Sequence, residues 1–164
     1  MRLYLMRHAT AVPHGAPGYS DDSKRPLTEQ GHAQARGVAE GLKRLELPID
    51  AIYTSPYVRA AQTAEEAAHV LGANVAVKTL DQLRAEAEPR DTSQALKALA
   101  GYSHALLVGH EPHLSGWLAE LTGGRCLMKK AGVACVDIND VPPAAGSGTL
   151  RWLMTPKQLI AVGE

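Results

Sequence analysis

A short apolar segment, Leu3 to Met6, runs directly into Arg7 and His8 and is followed by a small residue. If the segment is a buried strand, its carboxyl end presents a guanidinium and an imidazole. In open α/β sheets this is the edge at which ligands bind. An imidazole nitrogen can attack a phosphoryl group while a guanidinium neutralises the phosphoryl oxygens. The pair predicts phosphoryl transfer with His8 as the nucleophile, its Nδ1–H held by a backbone carbonyl.

Two later segments place the same residue types after predicted strands. The apolar segment Ala51 to Thr54 precedes a helix whose first turn carries Arg59, and the segment Ala105 to Gly109 runs into His110. In a parallel sheet these strand ends share one edge, and the free N–H groups of helix starts also favour anions. The sequence therefore predicts one phosphate pocket built from Arg7, His8, Arg59 and His110.

The elements that must position these residues alternate between strand and helix. The predicted strands are Leu3–His8, Ala51–Thr54, Val75–Val77 and Ala105–Gly109. The predicted helices are Leu27–Leu45 capped by Thr28, one that Ser55 caps and Gly72 ends, Asp91–Leu99, and one through Leu114 and Leu121 closed by Gly123. Two further strands, Val133–Ile138 and Gly148–Met154, form a hairpin. This order predicts a mostly parallel sheet with an antiparallel contribution.

Composition limits the class of protein. The 164 residues predict a single domain over 1–164, and the 17 basic and 17 acidic residues balance. A neutral chain argues against binding to nucleic acid or to a membrane surface. Arg7 interrupts the amino-terminal apolar segment, so no signal peptide is expected. Cys126 and Cys135 are interpreted as reduced thiols, which predicts a cytoplasmic protein.

Four motifs carry a family resemblance: Arg7-His8-Ala9-Thr10, Arg25-Pro26-Leu27-Thr28-Glu29-Gln30-Gly31, Ser55-Pro56-Tyr57-Val58-Arg59-Ala60-Ala61-Gln62-Thr63-Ala64 and Val108-Gly109-His110-Glu111-Pro112. Their order resembles that of the histidine phosphatase superfamily. The chain looks most like its small bacterial branch, the SixA-type phosphohistidine phosphatases, from Met1 to about Pro156. The resemblance implies a three-layer α/β/α sandwich of the phosphoglycerate-mutase-like kind. It also implies a phosphohistidine intermediate, no cofactor and no metal.

Roles for the pocket residues follow from their chemistry. Arg7 and Arg59 would clamp the phosphoryl oxygens, since a guanidinium binds them in bidentate fashion. His110 would donate to a phosphoryl oxygen as an imidazolium that the phosphoryl dianion stabilises. A metal site at His110 and His113 is the weaker interpretation, because Pro112 predicts the start of a helix there.

Three further positions are weighed as phosphate or substrate contacts. By resemblance Arg25 is such a contact, although a surface arginine is nearly as good an interpretation of the sequence alone. Thr10 and Ser55 offer hydroxyl donors, and a helix cap explains Ser55 better.

The general acid is the open position. Larger relatives carry a glutamate after the third strand, where this chain has Ala85. Glu86, or Glu88 in a shifted loop, is one substitute. Asp22, or its neighbour Asp21, is another that the SixA-type branch suggests. The P–N bond of a phosphoramidate is labile, so a strong acid is dispensable for that substrate. General-acid help is worth about 10²–10⁴-fold, so phosphate esters should turn over poorly.

The substrate is predicted from what the chain lacks. The stretch from Leu80 to Tyr102 holds one helix and no lid, and the loop from Ala11 to Lys24 is expected to be irregular and exposed. An open pocket suits a phosphorylated side chain on a protein better than a small sugar that must be enclosed. The resemblance implies that this side chain is a phosphohistidine on a signalling or phosphotransfer protein, with inorganic phosphate as an inhibiting product. One alternative is a phosphatase or mutase of small phosphomonoesters from the same superfamily. Another is a non-catalytic module that binds phosphoproteins.

Overall fold

The computed structural model describes residues 1–72 and 75–164, in which six strands form one sheet in the order β3-β2-β4-β1-β5-β6. Strands β1 to β4 are parallel, and β5 and β6 are antiparallel to their neighbours. The strands are β1 Arg2–Arg7, β2 Ala51–Thr54, β3 Val77–Thr79, β4 His104–Gly109, β5 Val133–Asp137 and β6 Thr149–Met154. The predicted mixed sheet is confirmed.

Helices cover both faces of the sheet. They are α1 Glu29–Arg44, α2 Val58–Leu71, α3 Pro89–Ala95, α4 His113–Thr122 and α5 Pro156–Gly163, with 3₁₀ turns at Asp22–Lys24, Asp81–Leu83 and Leu96–Leu99. Side chains alternate along β1, so Tyr4 and Met6 join a core with α1, α2 and α5. Leu3 and Leu5 join a second core with α4. Apolar side chains on both faces of the central strands thus produce the predicted three-layer α/β/α sandwich.

The loop that follows β1 is fixed against the start of α1. Thr28 caps this helix as predicted, because its Oγ1 accepts a hydrogen bond of 3.0 Å from Gly31 N. The Thr28 N–H in turn donates to the Thr10 carbonyl at 3.0 Å. A Cβ at Gly31 would lie 1.9 Å from the Thr10 carbonyl oxygen, so only glycine permits this approach. The segment that carries the candidate nucleophile is thereby held in place.

Several predicted element bounds are wrong. Strand β3 is Val77–Thr79 rather than Val75–Val77, because its pairing with β2 starts only at Val77. Helix α3 ends at Ala95 and continues as a 3₁₀ turn rather than as α-helix to Leu99. Sequence reasoning missed α5, although Thr155 followed by Pro156 is a helix-start signal. Among the described helices, none has the length and apolar character needed to cross a membrane.

Candidate active site

The register of the parallel strands brings distant segments to one point. Arg7 of β1 lies opposite Gly109 of β4, and Thr54 of β2 lies opposite Val108. The ladder continues one residue further, where His8 N donates to Gly109 O and Ser55 N donates to Val108 O, each at 2.9 Å. The residues just after three strands therefore lie side by side at the carboxyl edge of the sheet, as the sequence predicted.

His8 is buried, and both of its ring nitrogens have defined partners. Nδ1 lies 2.7 Å from the Ala9 carbonyl oxygen. Because a carbonyl only accepts, Nδ1 carries the hydrogen and Nε2 keeps its lone pair. Nε2 faces the Nε–H of Arg59 at 3.3 Å. Burial, together with the charges of Arg59, Arg7 and Lys130, lowers the pKa of His8 to about 3. The imidazole is therefore neutral at pH 7 and available as a nucleophile.

Arg59 stands in the first turn of α2 and is only 3% exposed. Its guanidinium lies over the Tyr57 ring, 5.1 Å from the centroid. Nη1 donates to the Asp22 carbonyl oxygen at 2.7 Å, and Nη2 donates to Asp22 Oδ2 at 2.9 Å. A fixed guanidinium against the nucleophile is suited to neutralising a phosphoryl group.

His110 packs between His8 and Tyr57, with ring centroids 5.1 and 5.0 Å away. Burial, and then the nearby His8 and Arg59, lower the pKa of His110 to about 2. The His110 ring is therefore neutral in this structure, while an imidazolium stabilised by a bound phosphoryl dianion stays a prediction. His113 bonds Thr92 Oγ1 at 3.0 Å instead of joining His110. Across residues 1–72 and 75–164 no group of three or more His, Cys, Asp or Glu is placed to hold a metal ion.

Ser55 determines which nitrogen of His110 carries the hydrogen. Its Oγ lies 2.9 Å from His110 Nε2 and accepts from the Tyr57 N–H at 3.3 Å. Within the described part of the chain the buried Ser55 hydroxyl has no other acceptor, so it donates to Nε2. His110 Nδ1 then carries a hydrogen, and it is buried without a partner in the described protein. The predicted cap role of Ser55 is wrong, because α2 begins at Val58 with Tyr57 as its N-cap.

Arg7 lies beside this centre rather than in direct contact with His8. Its Nη1 donates to the Met128 carbonyl at 2.8 Å, while Nε is buried without a partner among the described residues. Burial lowers the pKa of Arg7, and its charge contributes to lowering that of His8. The guanidinium is held from one side and keeps a donor for a ligand.

Asp22 joins Arg25 to the centre. Its carboxylate accepts from Arg25 Nε at 2.7 Å and from Arg59 Nη2 at 2.9 Å, and it pairs with His14 at 2.9 Å. Burial alone would raise the pKa of Asp22, but the hydrogen bonds from His14 and Arg25 and the charge of Arg59 drive it well below its usual range. The carboxyl is therefore ionised and holds no proton to give. The Arg25 side chain is only 13% exposed, so it is not a surface arginine.

Glu86 and Thr10 lie at the edge of this arrangement. The Tyr57 hydroxyl donates to the exposed Glu86 carboxylate, 2.8 and 2.9 Å from its two oxygens, so Glu86 stands at the rim beyond the Tyr57 ring. The Thr10 hydroxyl donates to Gln34 Oε1 at 3.1 Å instead of facing His8. Sequence reasoning missed Tyr57, although its place between Ser55 and Arg59 in a strand-to-helix turn was a usable signal.

Comparison with known proteins places this geometry in a family. Residues 3–88 match the family model of the histidine phosphatase superfamily, branch 1. The chain is 31% identical over 163 residues to the phosphohistidine phosphatase SixA of Escherichia coli strain K12, covering 97% of this chain and 96% of that protein.

Solved structures of other proteins match the fold of this chain. The protein histidine phosphatase SixA complexed with tungstate matches at TM-score 0.85 and 31% identity, covering 97% of this chain and 99% of that one. A phosphoglycerate mutase from Bacillus anthracis str. Sterne matches at TM-score 0.73 and 16% identity, covering 99% and 96%. The second likeness concerns the fold alone.

Proposed function

This chain belongs to the histidine phosphatase superfamily, and from that premise we propose that it is a phosphohistidine phosphatase that works through a covalent intermediate on His8. The observation that carries the proposal is the state of His8. Its Nδ1–H is held by the Ala9 carbonyl, its ring is neutral, and Nε2 faces Arg59. The relative that covers 97% of the chain is named a phosphohistidine phosphatase.

In the first step Nε2 of His8 attacks the phosphorus of the substrate phosphohistidine in line with the P–N bond. The new N–P bond forms as the substrate P–N bond breaks, and the leaving imidazole nitrogen takes a proton from water or a weak acid. Arg59, Arg7 and the Nδ1–H of His110 stabilise the equatorial oxygens. Positioning and charge neutralisation supply most of the acceleration in phosphoryl transfer.

In the second step water attacks the phosphorus of phospho-His8. The N–P bond breaks, His8 recovers its Nε2 lone pair, and the proton of the water goes to the released inorganic phosphate. Phosphate then competes with substrate for the same arginines, so it should inhibit as a product.

The missing acid favours phosphohistidine over phosphate esters. Asp22 is ionised, and Glu86 is bonded to Tyr57 at the rim. A phosphoramidate leaving group tolerates this, whereas an alkoxide leaving group loses the general-acid help of about 10²–10⁴-fold. The stretch from Leu80 to Tyr102 contains only 3₁₀ turns and the seven-residue α3, which leaves the pocket accessible to a protein side chain. We therefore propose a phosphohistidine-bearing protein, such as a phosphotransfer domain, as the partner.

The test compares a phosphohistidine peptide with a panel of small phosphomonoesters under identical conditions. We expect kcat/KM for the peptide to exceed that for each ester by at least about 10²-fold. His8→Ala should abolish turnover of the peptide while phosphate binding largely survives. A preference for one ester would favour the small-molecule phosphatase or mutase instead. Turnover of neither class, with phosphate still bound, would favour a binding module.

A further inference from the structure

A cavity of about 550 Å³ opens beside the candidate active site and shares Arg7 with it. Its other charged lining residues are Lys129, Lys130 and Lys157, and the remaining four are uncharged. Among the described residues that line it there is no carboxylate. Three of the seven lysines of an electrically neutral chain therefore gather at one opening. We call it the basic cavity.

The lysines of the basic cavity have no acidic partner in the described part of the chain. None of the ion pairs among residues 1–72 and 75–164 includes Lys129, Lys130 or Lys157. The three side chains belong to exposed residues. Exposed ammonium groups without a partner are available to an anion that approaches from outside.

Hydrogen bonds join the turn at the basic cavity to the strand end that carries His8. Ala131, which follows the lysine pair, donates its N–H to the carbonyl oxygens of Arg7 and His8 at 3.0 and 3.1 Å. Arg7 in turn bonds the Met128 carbonyl. The turn that carries Lys129 and Lys130 is thus tied to the end of β1 from both sides. Lys130 lies near enough for its charge to act on His8.

We propose that the basic cavity binds acidic side chains that flank the phosphohistidine of the substrate protein, and that it thereby selects acidic substrates. The inference rests on the proposed function and refines its substrate class. Lysine ammonium groups on flexible stems suit several carboxylates at variable positions. A second phosphate of a small molecule would be better matched by bidentate guanidinium groups, whereas Lys129, Lys130 and Lys157 are exposed ammonium groups.

Such contacts act mainly on association. Each exposed ion pair contributes little by itself, but complementary charge accelerates encounter and excludes partners of the wrong charge. Salt screens these contacts, with a Debye length of about 8 Å at physiological ionic strength. The selectivity should therefore appear in kcat/KM rather than kcat, and it should decline as salt is added.

The test uses two phosphohistidine peptides that are identical except for Glu or Gln at the flanking positions. The variant Lys129→Gln/Lys157→Gln is compared with Lys43→Gln/Lys97→Gln, which removes the same charge from two exposed lysines outside the cavity lining. At low salt we expect the natural chain to favour the Glu peptide by about fivefold in kcat/KM. The cavity variant should lose this preference and keep its rate on the Gln peptide, while the control should retain both.

Every outcome bears on the inference. Equal rates of the natural chain on both peptides would overturn it and leave the proposed function intact. A cavity variant that keeps the preference, or a control that loses it equally, would also overturn it. Equal losses on both peptides would assign the lysines to the phosphoryl group itself and contradict it. Hydrolysis of neither peptide would overturn the proposed function and this inference together.

Discussion

The hydroxyl oxygen of Ser55 lies 2.9 Å from Nε2 of His110, and both side chains are buried. Since the hydroxyl donates to Nε2, the hydrogen of the imidazole stays on Nδ1. His110 is thereby a neutral donor of fixed orientation beside His8. Ser55 is thus a positioning residue that fixes the proton of His110, as the Ala9 carbonyl fixes that of His8.

Ser55→Ala should lower kcat on phosphohistidine by about tenfold with KM little changed, because the His110 ring loses the contact that fixes its tautomer. Steady-state kinetics measures the effect, and ¹⁵N chemical shifts of the His110 ring report the tautomer directly. Ser93→Ala is the matched control, since Ser93 is also buried and bonds the Trp117 indole N–H at 2.9 Å. Equal losses of kcat in both variants, with an unchanged His110 spectrum, would refute the positioning role.

The variant Asp22→Asn tests whether Asp22 acts as a general acid or only pairs with the arginines. Because Asp22 is ionised and paired with Arg25 and Arg59, its neutralisation should lower the inhibition constant of phosphate by about threefold. Turnover of phosphohistidine should change little. Asp21→Asn serves as the control, since Asp21 contacts Ser23 and Lys24 and neither arginine. A kcat that falls by about 10²-fold or more in Asp22→Asn would identify Asp22 as the acid after all.

The two buried histidines should make folding stability depend on pH. Their pKa values in the folded protein, about 3 for His8 and about 2 for His110, lie below the unfolded value of about 6.5. The unfolded state therefore binds more protons below pH 6.5, and stability is lost as the pH falls. Between pH 7 and pH 5 each histidine should lower the free energy of unfolding by about 2 kcal/mol.

Urea unfolding at pH 7 and pH 5 measures this loss. His8→Gln should lose about 2 kcal/mol less than the natural chain over the interval, since one buried titrating group is gone. His69→Gln, at an exposed position in α2, should follow the natural chain. If His8→Gln loses as much stability as the natural chain, His8 is not held neutral by burial.

The sequence was sufficient to predict the residues of the pocket, because each follows a local signal. His8 and His110 come directly after buried strands, and Arg59 stands in the first turn of a helix. Parallel strands share one edge, so the grouping follows from topology alone. The alternation of strands and helices likewise predicted the mixed sheet, and the family resemblance implied the three-layer fold.

The contacts that could not be predicted join residues far apart in the chain. The type of each such residue already has a local explanation, so the sequence gives no sign of the contact. Ser55 before Pro56 has the pattern of a helix cap, and its contact with His110 spans 55 residues of chain. The pairing of Asp22 with Arg59 spans 37 residues and starts from an irregular loop. The protonation state of His110 depends on complete burial, which no periodicity reveals.

The covalent step on His8 is tested most directly by rapid quench. The chain is mixed with a phosphohistidine peptide labelled in its phosphoryl group, stopped in alkali within the first turnover, and mapped. We predict an acid-labile, alkali-stable label on His8 that forms and decays at rates compatible with kcat. Full turnover by His8→Gln, or a label that maps to His110 or to no residue while peptide is consumed, would contradict the mechanism.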